Sequence, residues 1–183
     1  MKNRNLIHSD NWETPKDFYD KLNKEFNFDF DPCPLNSSFD GLSIQWGKRN
    51  FINPPYSRKL KQLFVEKAIE ESKKGKLCVL LLPVSTSTKL FHNYILPNKK
   101  EIRFIKGRLK FSGINTKGVY VKDKVGMHDS MLVIFKKKYG LGDLVYKITY
   151  YTGIHYLTKK ISKLLGKDCG CDERRKKWNK IKI

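Results

Sequence analysis

The apolar positions of this chain change their period several times, and each change predicts an element. In "TPKDFYDKLNKEF", Phe18, Leu22 and Phe26 recur every four residues, the apolar stripe of an amphipathic helix. Thr14 is placed to cap it, Pro15 to take its first position and Asp17 to complete a capping-box pattern. "FNFDF" follows as a short strand and stops at "DPCP". Residues 34 to 47 predict a loop with little structure of its own. "NFI" predicts a second short strand. Ser57 then caps a helix through "RKLKQLFVEKAIEESKK", with Leu60, Phe64 and Ala68 on one face and Gly75 past its end. "LCVLLLPV" is apolar almost throughout, which is how a buried parallel strand reads. "STSTKLFHNYIL" predicts another capped helix, and "EIRFIKGRLKF" and "SMLVIF" the last strands.

This alternation predicts an α/β sheet with helices on its faces. Such sheets bind ligands beyond the carboxyl ends of their strands, and "DPCP", "NPPY" and "LPVST" all fall at predicted ends. The glycines near Gly140 mark a boundary. We therefore expect one domain over residues 1–138 and a basic helical extension over 139–183.

Charge narrows the partner. The 183 residues hold 38 Lys and Arg against 18 Asp and Glu, a formal net charge of +20. That excess fits a polyanion, most simply nucleic acid, and not a small anionic metabolite. Residues 139–183 hold 11 basic and 4 acidic residues, so the excess is not confined to a tail. No apolar run reaches the length of a membrane span, and no signal-peptide pattern opens the chain, so a cytoplasmic protein is expected. Cys33, Cys78, Cys169 and Cys171 then read as thiols, and their spacing is not that of a zinc site.

The chemistry concentrates at "NFINPPYS". The prolines at 54 and 55 forbid the strand to continue. Asn53 offers a side-chain acceptor, the Pro54 carbonyl is held rigid ahead of a second proline, and Tyr56 offers a flat face. Two acceptors beside a stacking ring match an amino group on a planar base. The exocyclic amine of adenine is a poor nucleophile, and acceptors on its hydrogens favour the charge that develops as its nitrogen attacks a methyl group. Alone, the same four residues also read as an ordinary turn.

In order along the chain, "SDNWETPKDFYDKLNKEFNFDFDPCP", "DGLSIQWGKRNFINPPYS", "VLLLPVSTSTKLFH", "IRFIKGRLKF" and "SMLVIF" resemble the phage-type DNA N-6-adenine methyltransferases, the Dam-like family, over roughly residues 9 to 136. The resemblance implies a Rossmann-like methyltransferase fold with a trimmed, mostly parallel sheet and helices on both faces. It implies S-adenosylmethionine as methyl donor, double-stranded DNA as substrate, base flipping, and a phage or prophage gene acting in a bacterial cytoplasm. Carried over by motif, Asn53, Pro54, Pro55 and Tyr56 form the catalytic turn. Trp12, Thr14, Pro15, Asp31, Pro32 and Asp40 are implied for the cofactor. The sequence departs from the wider methyltransferase pattern in having no glycine between "DPCP" and Gly41, so no ribose-binding carboxylate is assigned.

The segment "KGRLKFSGINTKGVYVKDKVGMHDS" carries Lys106, Arg108, Lys110, Lys117, Lys122 and Lys124 with Phe111 and Tyr120 among them, and reads as the DNA-binding loop. His92 and His128 have no required role, and no metal is expected. A monomer is expected, with the C-terminal helices available to a partner. Two other classes stay open: a nucleic-acid-binding protein that kept the fold without catalysis, and an amino-methyltransferase acting on cytosine, RNA or protein.

Overall fold

In chain order the elements are β1 (Trp12–Glu13), α1 (Lys16–Phe26), β2 (Arg49–Ile52), α2 (Arg58–Lys73), β3 (Leu77–Pro83), a π-helical turn (Leu90–Ile95) running into α3 (Leu96–Asn98), β4 (Glu101–Phe104), β5 (Lys110–Ile114), β6 (Tyr120–Val125), β7 (Ser130–Phe135), α4 (Leu141–Tyr151), α5 (Ile154–Leu164) and α6 (Cys171–Trp178). The structure is a computed structural model and describes residues 12–114, 118–137, 139–166 and 168–181. The chain divides into two units, Met1–Lys137 and Lys138–Ile183.

In the first unit the strands form a four-stranded sheet, ordered β2-β3-β7-β4, and a three-stranded sheet, ordered β1-β5-β6. This corrects the expected Rossmann-like, mostly parallel sheet. Among the described residues only β2 and β3 pair in parallel, extended by a single parallel bridge from Phe30 to Asn50. β7 runs antiparallel to both β3 and β4, and the smaller sheet is antiparallel throughout. The physical reason is that an unbroken apolar run encodes burial on both faces, not direction. The apolar runs of β3 and β7 lie side by side at the centre, antiparallel, with Leu80 opposite Val133.

Side-chain alternation sorts the two buried layers. Ile52, Cys78, Leu80, Leu82, Met131, Val133 and Phe135 face one cluster with Phe64, Val65 and Ala68 of α2 and Phe91 and Ile95 of the π-helical turn. Phe51, Val79, Leu81, Leu132 and Ile134 face the other with Leu22 of α1 and Phe111 of β5. The second cluster thus joins the small sheet to the large one.

Several local expectations also change. Thr14 does not cap α1, which starts from Pro15 without a side-chain cap. "FNFDF" makes only the Phe30 bridge, and the Asp29 carboxylate accepts from the backbone N–H groups of Lys48 and Arg49 at 3.2 and 2.9 Å. "STSTKLFHNYIL" opens as a π-helical turn just before Pro97, whose ring cannot fit against an α-helical carbonyl four residues back. "EIRFIKGRLKF" is two strands, broken where Gly107 takes a φ of +81° and sends the chain into the other sheet.

The second unit is α4, α5 and α6. Its one buried carboxylate, among the described residues, is Asp143 of α4. Arg175 of α6 donates to it through Nε and Nη2, both at 2.6 Å, and lies 4.4 Å over the Tyr146 ring. Burial alone would raise the Asp143 carboxyl, but the bonds from Arg175 and Asn179 hold it below its ordinary value. Gly142 has no room for a Cβ, which would meet the Arg175 carbonyl at 2.2 Å.

Candidate active site

Parallel pairing of β2 with β3, and of Phe30 with Asn50, brings three chain turns to one sheet edge. "DPCP" follows Phe30, "NPPY" follows Ile52 and "VST" follows Pro83. The antiparallel partner supplies Ser130, opposite Pro83, and Val84 N–H donates to the Asp129 carbonyl at 2.8 Å.

At this edge the side chain of Asn53 is fixed by its nitrogen. Nδ2 donates to the carbonyl of Trp12 and to Oγ1 of Thr14, each at 3.1 Å. A carbonyl can only accept, so the atom facing Trp12 must be the nitrogen. Oδ1 consequently points the other way. Pro54 and Pro55 are buried beneath it. Tyr56 is packed so that its hydroxyl is buried without a partner among the described residues, and burial raises its phenol above the usual range.

Tyr56 lines a cleft of ≈ 230 Å³ together with Trp12, Pro83, Phe111, Lys124, Val125, Gly126, Met127, His128 and Ser130. Lys124 Nζ lies 6.0 Å from the centre of the Trp12 ring. Gly126 sits against Phe111, whose ring a Cβ would meet at 3.2 Å. The sequence reading missed Met127, Val125, Gly126 and Ser130. Their only signal was position, since "VGMHDS" is the end of the basic segment, where it meets the last apolar strand.

The other residues expected at the cofactor lie on both sides of Asn53 in the sequence. Thr14 and Pro15 line a shallow groove with Ser112, Tyr120 and Lys122 of the small sheet and Asp17 and Asp20 of α1. Asp31 accepts from the Cys33 N–H at 2.7 Å, and burial outweighs that bond, pushing its carboxyl to about 6. Pro32 is buried against Gly41, where a Cβ would meet the Pro32 carbonyl at 1.9 Å. Asp40 is engaged in its own turn, with Oδ1 accepting from the Leu42 N–H at 3.0 Å and Oδ2 from the Ser43 hydroxyl at 2.8 Å. Asp31 and Asp40 both act on Cys33, whose thiol burial first, then these carboxylates, hold well above its ordinary value.

The loop that carries Asp40 is held from below. Lys67 of α2 donates to the carbonyls of Gly41, Leu42 and Ile44 at 3.2, 2.8 and 2.7 Å, and Trp46 Nε1 donates to the Gly41 carbonyl at 2.7 Å.

The basic segment is not a loop but the hairpin of β5 and β6. Lys110, Lys122 and Lys124 are exposed along it, and Lys106 is exposed between β4 and β5. Arg108 is exposed and pairs with Asp129 at 3.5 Å. Lys117 lies outside the described residues.

Among the described residues no group of three or more His, Cys, Asp or Glu is placed to hold a metal ion, and no helix is long and apolar enough to cross a membrane. Comparisons with curated proteins and with solved structures return no match. The family model described as DNA N-6-adenine-methyltransferase (Dam) matches residues 3–150, from ahead of β1 through most of α4. That match spans both the turn at Asn53 and the cleft beside Tyr56, and the chain belongs to the DNA N-6-adenine-methyltransferase (Dam) family.

Proposed function

We propose that this chain transfers a methyl group from S-adenosylmethionine to the exocyclic amine of adenine in double-stranded DNA. The observation that carries the reading is the anchored Asn53 amide. With Nδ2 spent on Trp12 and Thr14, Oδ1 is left as a fixed acceptor in the turn that carries Tyr56. An acceptor fixed before the reaction stabilises charge that develops on the amine nitrogen without reorganising. The Pro54 carbonyl is the second acceptor in this reading, and the cleft walled by Trp12, Phe111 and Tyr56 receives the base once it has left the duplex.

The residues fit the cofactor as well. Asp31 is a half-buried carboxyl that accepts from a backbone N–H, so it gains by meeting a cation. It would hold the ammonium of the methionine part, with Pro32 beside it and Trp12, Thr14 and Pro15 on the other side of Asn53. Asp40 enters only by holding the turn at Gly41. S-adenosylmethionine would supply the electrophilic methyl group. The proton released from the amine passes to water, and no histidine base is needed.

In this reading residues 1–138 hold the chemistry as a monomer, residues 139–183 are a basic extension, and the enzyme works on DNA in a bacterial cytoplasm. Lys106, Lys110, Lys117, Lys122 and Lys124 meet phosphates, while Arg108 is held by Asp129.

The test is methylated adenine in DNA. The wild type and Asn53→Ala would be expressed in a host lacking adenine methylation, and the DNA digested to nucleosides for mass spectrometry. Methyladenine from the wild type alone is the expected result. Absence from both folded proteins would reject catalysis in favour of a binding module, and methylcytosine in its place would move the substrate to another amine.

A further inference from the structure

The geometry points to a second reactive site, independent of methyl transfer: Cys171 and Cys169 form a thiol–disulfide exchange pair that reacts with small-molecule disulfides, with Cys171 attacking and Cys169 resolving. Cys171 is the first residue of α6, an eight-residue helix whose N-cap is Gly170 in the left-handed region. Its sulfur faces the Arg174 guanidinium at 3.7 Å and lines a cleft of ≈ 150 Å³ with His155, Thr158, Arg174 and Arg175. The Cys171 N–H donates to the Cys169 sulfur at 3.4 Å, and the Cys171 thiol lies 3.8 Å from the Cys169 carbonyl. Cys171 therefore combines a facing guanidinium, a position at a helix N-terminus and a second thiol two residues away, the setting that makes a cysteine nucleophilic.

The surroundings separate the roles of the four thiols. The neighbouring Cys169 thiol lowers the Cys171 thiol first, burial opposes it, and Arg174 and Thr158 lower it further. Cys169 is shifted the opposite way, by Cys171 first and by Asp168 among smaller causes. Burial raises Cys33 well above its ordinary value and pushes Cys78 to about 12, so neither competes as a thiolate.

The step balances with a small disulfide as oxidant. The Cys171 thiolate attacks one sulfur of that disulfide, a mixed disulfide forms, and the other sulfur leaves as a thiolate. Cys169 loses its proton to water, attacks the Cys171 sulfur and expels the second small thiolate. The two cysteines are oxidised by two electrons, and the small disulfide is reduced to two thiols.

Glutathione disulfide is the probe, added to the full-length protein, with intact mass and peptide mapping under non-reducing conditions. The wild type is expected to end with a Cys169–Cys171 disulfide and no bound glutathione. Cys169→Ser should stop at a stable glutathione adduct on Cys171. Cys171→Ser should lose the fast reaction, and Arg174→Gln should slow it. The wild-type map needs no variant to fold. A first adduct on Cys33 or Cys78, or a Cys171 rate no faster in the native chain than in the chain unfolded by denaturant, would overturn the assignment.

Discussion

The Asn53 amide is oriented by Trp12 and Thr14, 41 and 39 residues upstream, and this makes its substitutions informative. Asn53→Ala removes the acceptor and is expected to lower the methylation rate by about 10²–10³-fold, the effect of losing one preorganised group, with little change in DNA affinity. Thr14→Val keeps the Trp12 bond but loses the hydroxyl acceptor, and about a tenfold fall in turnover is expected. Single-turnover kinetics distinguishes the two. Asp31 makes the site pH-dependent. Its folded carboxyl titrates at about 6 against an ordinary 3.8, so the native chain takes up a proton that the unfolded chain does not. The stability tied to this group is full below the ordinary value and is lost as pH rises through about 6. Asp31→Asn should therefore raise the melting temperature at pH near 8, by a margin that shrinks towards pH 4, as calorimetry at the two pH values would read. In the proposed role the ionised form meets the cofactor's ammonium. Cofactor affinity should then fall as pH drops through about 6, and titration calorimetry should show no such fall in Asp31→Asn.

The elements show what the sequence made legible. α1, α2, β3 and β7 carry long or strongly periodic patterns, and each was readable from its apolar positions. What failed was direction and partition. Nothing in "LCVLLLPV" or "SMLVIF" states which way its neighbour runs, and the break at Gly107 is one residue in an otherwise strand-like run. β1 and β6 were missed because one is two residues long and the other is exposed and rich in lysine, which carries no burial signal. The Asn53 site was legible as a motif, but the bond that orients it joins segments whose contact only the fold creates. Two predictions belong to this scale. On the β5–β6 hairpin, Lys122→Glu with Lys124→Glu should weaken DNA binding and reduce the salt slope of log affinity by about 2, read by fluorescence anisotropy across a salt series. An unchanged slope would remove the hairpin from the DNA interface. In the loop, Gly41→Ala drives a methyl into the Pro32 carbonyl and should cost about 2 kcal/mol or more in urea unfolding.

For the whole molecule, the net charge of +20 is spread over both units, so attraction to DNA belongs to the chain and not to one arm. Sequence choice must come from the few groups that reach base edges, whereas the phosphate contacts serve any sequence. The two units also differ in chemistry: the first holds its cysteines apart with raised thiols, and the second brings two of them together.

Trp12 sits where these scales meet. Its backbone pairs with Gly113 in the small sheet, its carbonyl holds Asn53 at the edge of the large one, and its indole lines the cleft. A hairpin pressed by a duplex would therefore pull on the amide through a single residue, with no slack between them. The same indole is a natural optical probe. Trp46 is buried in the core and Trp178 belongs to the second unit, so with both changed to Phe the remaining emission would come from the mouth of the cleft. Quenching as a base stacks there would time its arrival separately from the chemistry that follows.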